Sequence, residues 1–126
     1  MATQGLRYTK EHEWVRVEGD TATIGITAYA AHQLGDIVFV ELPDMGRQVT
    51  QFGAIGVVES VKAVSDLFSP IGGEIVETNT ELSKTPELVN SDPLGAGWML
   101  RIHVADMHQL DSLLDQAAYD ELTKEA

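Results

Sequence analysis

The chain has 126 residues, of which 44% are hydrophobic and 22% are charged, as is typical of one globular domain. Acidic residues outnumber basic ones 20 to 8, which gives a formal charge of −12. Nucleic acid and anionic membranes are bound through lysine and arginine, so this charge argues against both as partners. The chain has no cysteine, which excludes disulfides, thiolate metal sites and cysteine nucleophiles.

The N-terminal segment, Met1 to Leu6, has neither a basic segment followed by an apolar stretch nor an Arg-rich character. No apolar run approaches the roughly 20 residues that a membrane-spanning helix needs. These features predict a complete, cytoplasmic protein of bacterial type. A mitochondrial matrix location would apply only to a processed eukaryotic form.

Short β-branched runs alternate with turn signals through most of the chain, a pattern typical of a β-sandwich or barrel. In chain order the predicted strands are 15–18, 21–27, 36–41, 52–59, 63–68, 74–78 and 97–104. Strand 36–41 carries apolar residues on both faces, which predicts burial on both sides. Residues 1–126 are predicted to form a single domain.

Three helical segments are predicted. The first covers 28–34 and ends at Gly35 as its C-cap. The second lies within 80–89, where Pro86 interrupts it. The third covers 106–122, because apolar residues recur there at the helical period and Asp106 is a natural N-cap. This C-terminal segment, extending to residue 123, is expected to pack across one face of the domain.

Lys62 is the only cationic residue between Arg47 and Lys84, and apolar half-strands flank it. Residues 60–63 should therefore form a turn, although they include no Gly, Pro, Asn or Asp. A lysine at such a hairpin tip is accessible to a modifying ligase, with Glu59 and Asp66 placing negative charge on either side. Taken alone, these residues favour a surface lysine within one longer strand, with Glu59 and Asp66 as solvated charges, since exposed lysines are common.

Four stretches of the chain form a recognisable set: 8–15 (YTKEHEWV), 24–27 with 34–43, 57–66 (VVESVKAVSD) with Ser69-Pro70, and 86–90 followed by Gly97-Trp98. They resemble the glycine cleavage H-protein family, in family order and at family spacing. The resemblance covers nearly the whole chain. It implies a mainly β, lipoyl-domain-like β-sandwich (a barrel-sandwich hybrid) with short helices and a C-terminal helical segment, and lipoic acid in amide linkage to Lys62.

The resemblance also implies a monomeric shuttle without catalysis of its own. A pyridoxal-phosphate glycine decarboxylase would load an aminomethyl group onto the lipoyl arm. A tetrahydrofolate-dependent aminomethyltransferase would remove the one-carbon unit, and dihydrolipoyl dehydrogenase would reoxidise the reduced arm. Lipoyl-attaching enzymes would be further partners.

Glu13 resembles a family residue that lines the cleft sheltering the loaded arm, whose ammonium would favour carboxylates such as Glu13 and Asp66. Glu13 fits equally an acid in solvent beside Trp14. The chain departs from many family members at Ala28, where they have an acid. It departs from some at Gln33, where they have a histidine near the bound arm.

The residues also bear on two classes of function other than a carrier. An enzyme is disfavoured because no general-base constellation is present, and because consecutive residues of a strand at 11–13 (EHE) cannot converge on a metal. Biotin carriers flank their lysine with methionine, whereas Val61 and Ala63 flank Lys62. Lipoyl domains of 2-oxoacid dehydrogenases lie in long chains with linkers, which this chain lacks. A lipoyl relay or regulatory lipoyl module outside glycine catabolism stays open.

Overall fold

The computed structural model describes residues 6–124. Residues 1–5, on which the predicted absence of a targeting signal largely rests, lie outside this range. The strands are β1 (Leu6–Tyr8), β2 (Glu13–Glu18), β3 (Thr21–Ile26), β4 (Ile37–Glu41), β5 (Gln48–Val49), β6 (Ala54–Ser60), β7 (Val64–Phe68), β8 (Gly73–Thr78) and β9 (Leu100–Val104). The helices are α1 (Ala28–Leu34), α2 (Glu81–Lys84), α3 (Leu88–Ser91), a 3₁₀ helix (Met107–Ser112) and α4 (Gln116–Lys124). None of the helices within 6–124 has the length and apolar character of a membrane span.

The strands form two sheets, which confirms the predicted mainly β fold. The larger sheet has six strands in the order β1-β2-β3-β9-β8-β5, and the smaller has three in the order β4-β6-β7. Every pairing between these strands is antiparallel. Apolar side chains from both sheets share one hydrophobic core, exemplified by Ile24, Ile75 and Ile102 from the larger sheet and Ile55 and Leu67 from the smaller. Burial of such surface stabilises the fold by about 25 cal/mol per Å².

The β2–β3 hairpin and α1 match the sequence predictions closely. Thr27 caps α1, its side chain accepting a hydrogen bond from the N–H of Ala30, and Gly35 ends the helix at φ +83°. Gly25 lies opposite Trp14 in the hairpin, where a Cβ atom would lie 2.8 Å from the indole nitrogen. Glycine at this position therefore lets the fully buried indole pack directly on the strand.

Strand β4 was wrongly predicted to be buried on both sides. Ile37 and Val40 are buried, whereas Val38 and Phe39 are 48% and 49% exposed. The pairing with β6 shifts between Ile37 and Phe39, which breaks the alternation of the strand. Strand β4 also lies at the edge of the smaller sheet, whose outer face is not covered by other described elements at this point.

The predicted continuous helix over 106–122 was also wrong. Asp106 is the N-cap, as predicted, but it begins a short 3₁₀ helix that ends at Ser112. Leu114 then forms an isolated β-bridge to Tyr8, with backbone hydrogen bonds of 2.8 Å in both directions. Backbone groups used in this bridge cannot belong to a helix, so α4 begins only at Gln116.

Candidate functional site

The turn that carries Lys62 is built by the hydroxyl of Ser60. Its oxygen accepts hydrogen bonds from the backbone N–H groups of Lys62 and Ala63, at 3.2 and 3.0 Å. The backbone N–H of Ser60 donates to the carbonyl of Ala63 at 2.8 Å and closes the hairpin. Ser60 is buried, and its side chain does the work that Gly, Pro, Asn or Asp performs in most turns. Lys62 therefore lies at a hairpin tip, as predicted, and not within a longer strand.

Lys62 itself is exposed, and its backbone is anchored on both sides. The N–H of the preceding Val61 donates to the carbonyl of Asp36 at 3.0 Å, which ties the tip to the loop after α1. The Lys62 side chain passes Gly35, where an added Cβ would lie 3.6 Å from the Lys62 Cε. Within the described part of the chain the Lys62 amine forms no salt bridge. The amine is therefore available for modification, while the backbone beneath it is fixed.

The outer face of the smaller sheet leads away from this tip. Glu59 of β6 pairs with Phe39 of β4 and with Val64 of β7. Two residues earlier on β6, Val57 pairs with Asp66 of β7. Paired residues share a face of the sheet, so Glu59 and Asp66 lie on one surface with exposed apolar side chains. The two predicted acids thus lie along the hairpin, in the first and third residue pairs from its turn.

Glu13 lies in a different environment, because it is only 2% exposed. One carboxyl oxygen, Oε1, accepts from the hydroxyl of Thr9 at 2.5 Å, and the other, Oε2, accepts from the backbone N–H of Phe68 at 3.1 Å. Trp14, the next residue of β2, packs into a separate apolar cluster with Tyr8 and Tyr119. The reading of Glu13 as an acid in solvent beside Trp14 is therefore wrong.

Burial raises the pKa of Glu13 to about 7, and the charge of nearby Glu11 adds to the increase. The hydrogen bonds from Thr9 and Phe68 oppose it, since they stabilise the ionised carboxylate. An ionised carboxylate has about four acceptor positions, and these two donors occupy one on each oxygen. Glu13 is therefore a buried acid, without a cationic partner among residues 6–124, that titrates near neutral pH.

The turn before Glu13 is held by α4. The hydroxyl of Tyr119 lies 2.6 Å from the Thr27 hydroxyl and 2.9 Å from the His12 ring nitrogen Nδ1. Burial lowers the pKa of His12, which favours the neutral imidazole. His12 has a left-handed backbone, at φ +72°, so Glu11 and His12 lie in a turn, whereas a strand was expected at 11–13; only Glu13 belongs to β2. The C-terminal helix thus fixes the turn that delivers Glu13 to the interior.

Strand β7 connects these features. It lies at the edge of its sheet and runs from Val64, beside the lysine turn, to Phe68, whose N–H binds Glu13. At about 3.3 Å per residue, the four steps from Val64 to Phe68 span roughly 13 Å. The lysine turn, Asp66 and the Glu13 carboxyl therefore follow one another along one strand, although Glu13 and Phe68 are 55 residues apart in sequence.

Ala28 and Gln33, the two departures from the family pattern, are both exposed on α1. Ala28 lines a hollow of about 430 Å³ together with His32 and Gly35, the glycine beneath the Lys62 side chain, whereas Gln33 does not line it. No group of three His, Asp or Glu side chains in residues 6–124 is arranged to hold a metal ion.

Sequence reasoning missed Ser60 and Thr9. Serine and threonine are weak turn formers, so Ser60 at the start of a turn without stronger formers was a usable signal. Thr9 had no such signal, because its role depends on a carboxylate that the sequence does not show to be buried.

Comparisons with known proteins agree with this architecture. The family model described as "Glycine cleavage H-protein" matches residues 6–126. The glycine cleavage system H protein of Symbiobacterium thermophilum is 57% identical over 95% of this chain and 94% of its own length. That of Magnetococcus marinus is 59% identical over 92% of this chain and 83% of its own. A crystal structure of the H protein from Mycobacterium marinum superposes with a TM-score of 0.88 at 37% identity, covering 95% and 97% of the two chains.

The burial of Glu13 makes the stability of the folded protein depend on pH. The pKa of Glu13 is higher in the folded protein, about 7, than in the unfolded chain, near 4.5, so folding takes up a proton between these values. The favourable contribution is complete below pH 4.5 and is lost as the pH rises through 7. We expect the free energy of unfolding of wild type, relative to Glu13→Gln, to fall on the order of 3 kcal/mol between pH 5 and 8.

Urea unfolding at a series of pH values measures this difference. Glu18→Gln, at the exposed end of the same strand, controls for the loss of one negative charge. Parallel stability curves for wild type and Glu13→Gln would show that the Glu13 carboxyl does not titrate in this range.

Proposed function

The chain belongs to the glycine cleavage H-protein family, and on that premise we propose that it is the lipoyl carrier of that system, with lipoic acid in amide linkage to Lys62. The observation that supports Lys62 most directly is the turn built by Ser60, which holds the lysine backbone rigidly while its amine is exposed and without an ion pair in the described chain. The proposed role is delivery without catalysis by the protein itself.

The residues around Lys62 fit such a group. An amide-linked lipoyl-lysine has about eleven bonds between Cα and the dithiolane ring. Because each bond of an extended zigzag advances the chain by about 1.25 Å, the arm has a reach on the order of 14 Å. Asp66, two residues beyond the start of β7, lies within this reach, and we propose that the arm approaches the Glu13 carboxyl at the far end of β7 only when it is fully extended along the strand. When bound, the lipoyl group supplies a disulfide that accepts the aminomethyl group of glycine together with two reducing equivalents.

The proposed partners are a pyridoxal-phosphate glycine decarboxylase, an aminomethyltransferase, dihydrolipoyl dehydrogenase and the enzymes that attach the lipoyl group. Tethering one reactive group to a protein that visits each partner replaces free diffusion with a high effective concentration. The formal charge of −12 favours partners with basic docking surfaces, and the attraction would speed encounter. Because the relatives named above are bacterial, the proposed place of action is the cytoplasm.

Three carboxylates receive proposed roles. Glu59, one strand pair from the lysine turn, is proposed to help the attaching enzyme recognise the hairpin. Glu13, and to a smaller extent Asp66, are proposed to bind the ammonium of the loaded arm. Glu13 suits this role because its buried carboxylate retains free acceptor positions and has no cation beside it among the described residues. An ammonium there would supply the missing countercharge.

Lys62→Arg should abolish lipoylation while preserving charge and fold, because a guanidinium is a poor acyl acceptor. Lys84→Arg, at an exposed lysine of α2, is the matched control and should be modified normally. Both proteins would be incubated with a lipoyl-attaching enzyme and mapped by peptide mass spectrometry. Lipoate found on Lys10, Lys84 or Lys124 would contradict the assignment.

Glu59→Ala should slow the attachment of lipoate to Lys62 with little change in stability, since surface substitutions usually change stability by about 0.5 kcal/mol or less. The initial rate of modification in vitro is the measurement, and Glu74→Ala, at an exposed acid of β8, is the control. Equal rates for wild type and Glu59→Ala would remove Glu59 from the recognition surface.

Glu13→Ala should accelerate the loss of the one-carbon unit, as formaldehyde, from the loaded and isolated protein. A buried charge-assisted hydrogen bond contributes roughly 1.5–3 kcal/mol, so the expected acceleration is about tenfold or more. Glu13→Gln, which keeps the shape and removes the charge, guards against a packing artefact, and Glu18→Ala controls for charge on the same strand. If all four proteins, wild type included, lose the unit equally slowly, Glu13 does not shelter the arm.

A further inference from the structure

The hydroxyl of Thr9 binds both the backbone of the β1–β2 turn and the side chain of Glu13. It is buried, with Thr9 only 4% exposed, and it takes part in three hydrogen bonds. Its oxygen accepts from the backbone N–H groups of Glu11 at 3.2 Å and Glu13 at 3.1 Å. It also contacts the Glu13 carboxyl oxygen Oε1 at 2.5 Å.

The direction of this last hydrogen bond follows from valence. A threonine hydroxyl has one proton and two acceptor lone pairs. Amide N–H groups can only donate, so the Glu11 and Glu13 amides occupy both lone pairs of the Thr9 oxygen. The single hydroxyl proton is then left for Glu13, and Thr9 must be the donor. A donor fixed in this way favours the ionised carboxylate over the acid.

The second donor to Glu13, the backbone N–H of Phe68, belongs to the edge of β7 and is equally fixed. One donor therefore comes from the β1–β2 turn and the other from the smaller sheet, one on each carboxyl oxygen. Thr9 and Phe68 also line the same hollow, of about 460 Å³. The carboxylate is thus held, behind the wall of this hollow, between donors from two residues that line it.

We propose that Thr9 is a positioning residue for the Glu13 carboxylate: its hydroxyl orients the group and favours its ionised form, so that the remaining acceptor positions can receive a primary ammonium. The ammonium ligand rests on the function proposed above, whereas the orientation of the carboxylate does not. The other titratable groups that face Glu13 are Glu11 in the same turn and Tyr119 on α4. Neither is altered by the substitutions below.

The direct test is the titration of the Glu13 carboxyl carbon, followed by NMR in unmodified protein with labelled glutamate. Loss of a hydrogen bond to a charged group corresponds to about 1.5–3 kcal/mol, so Thr9→Val should raise the titration midpoint by about one pH unit or more. Thr9→Ser retains the hydroxyl and should restore the wild-type midpoint. Thr23→Val, which removes a buried threonine hydroxyl from β3 far along the sheet from Glu13, should leave the midpoint unchanged.

Thr9→Ala provides a second hydroxyl-free variant if Thr9→Val does not fold, and it must move the midpoint in the same direction. A wild-type midpoint in the folded hydroxyl-free variants would overturn the proposal. An equal rise in Thr9→Ser and Thr9→Val would overturn it as well, because the effect would then not come from the hydroxyl.

Measurements on the aminomethyl-loaded protein distinguish a failure of this inference from a failure of the proposed function. Protection of the one-carbon unit requires ionised Glu13, so in Thr9→Val the protection should begin at a higher pH than in wild type or Thr9→Ser. If Glu13→Ala does not change the loss but Thr9→Val still raises the Glu13 midpoint, the sheltering role fails and the positioning by Thr9 stands. If Glu13→Ala accelerates the loss and Thr9→Val leaves the midpoint unchanged, the positioning by Thr9 fails.

Discussion

The buried carboxyl of Glu13 is the polar link on which the arrangement of the site depends. It belongs to β2 of the six-stranded sheet, yet one of its oxygens binds the edge of β7 in the three-stranded sheet. A carboxyl buried without partners would cost several kcal/mol, and the donors at Thr9 and Phe68 offset much of that cost. The raised pKa, about 7, reflects the part that is not offset. Perturbed pKa values of this kind cluster at functional sites.

At the other end of β7 the charged side chain is exposed and not buried. There the hairpin exposes Lys62, and the rigidity lies in the backbone, where the Ser60 hydroxyl and the Asp36 carbonyl bind the turn. A carrier needs both properties, because a partner enzyme must recognise a fixed backbone while the attached group moves. One strand therefore joins the exposed lysine proposed as the attachment point to a buried acid with unused acceptor positions.

Local signals in the sequence were sufficient for the elements near the lysine. Alternating apolar runs around Lys62 predicted the hairpin, and Thr27 and Gly35 delimit α1 as capping chemistry requires. Features that depend on distant partners were not predictable. The burial of Glu13 depends on Phe68, 55 residues away, and the break in the C-terminal helix depends on the bridge between Tyr8 and Leu114. Apolar periodicity alone reports neither interaction.

Intact mass spectrometry of the protein purified from its native host tests the carrier assignment most directly, because one spectrum reports whether the 13.7 kDa chain is modified and how many times. A lipoyl carrier with a single attachment lysine predicts a major species heavier than the unmodified sequence by the mass of one lipoyl group. A spectrum that contains only the unmodified mass in cells actively lipoylating other proteins, or a chain bearing two lipoyl groups, would contradict it.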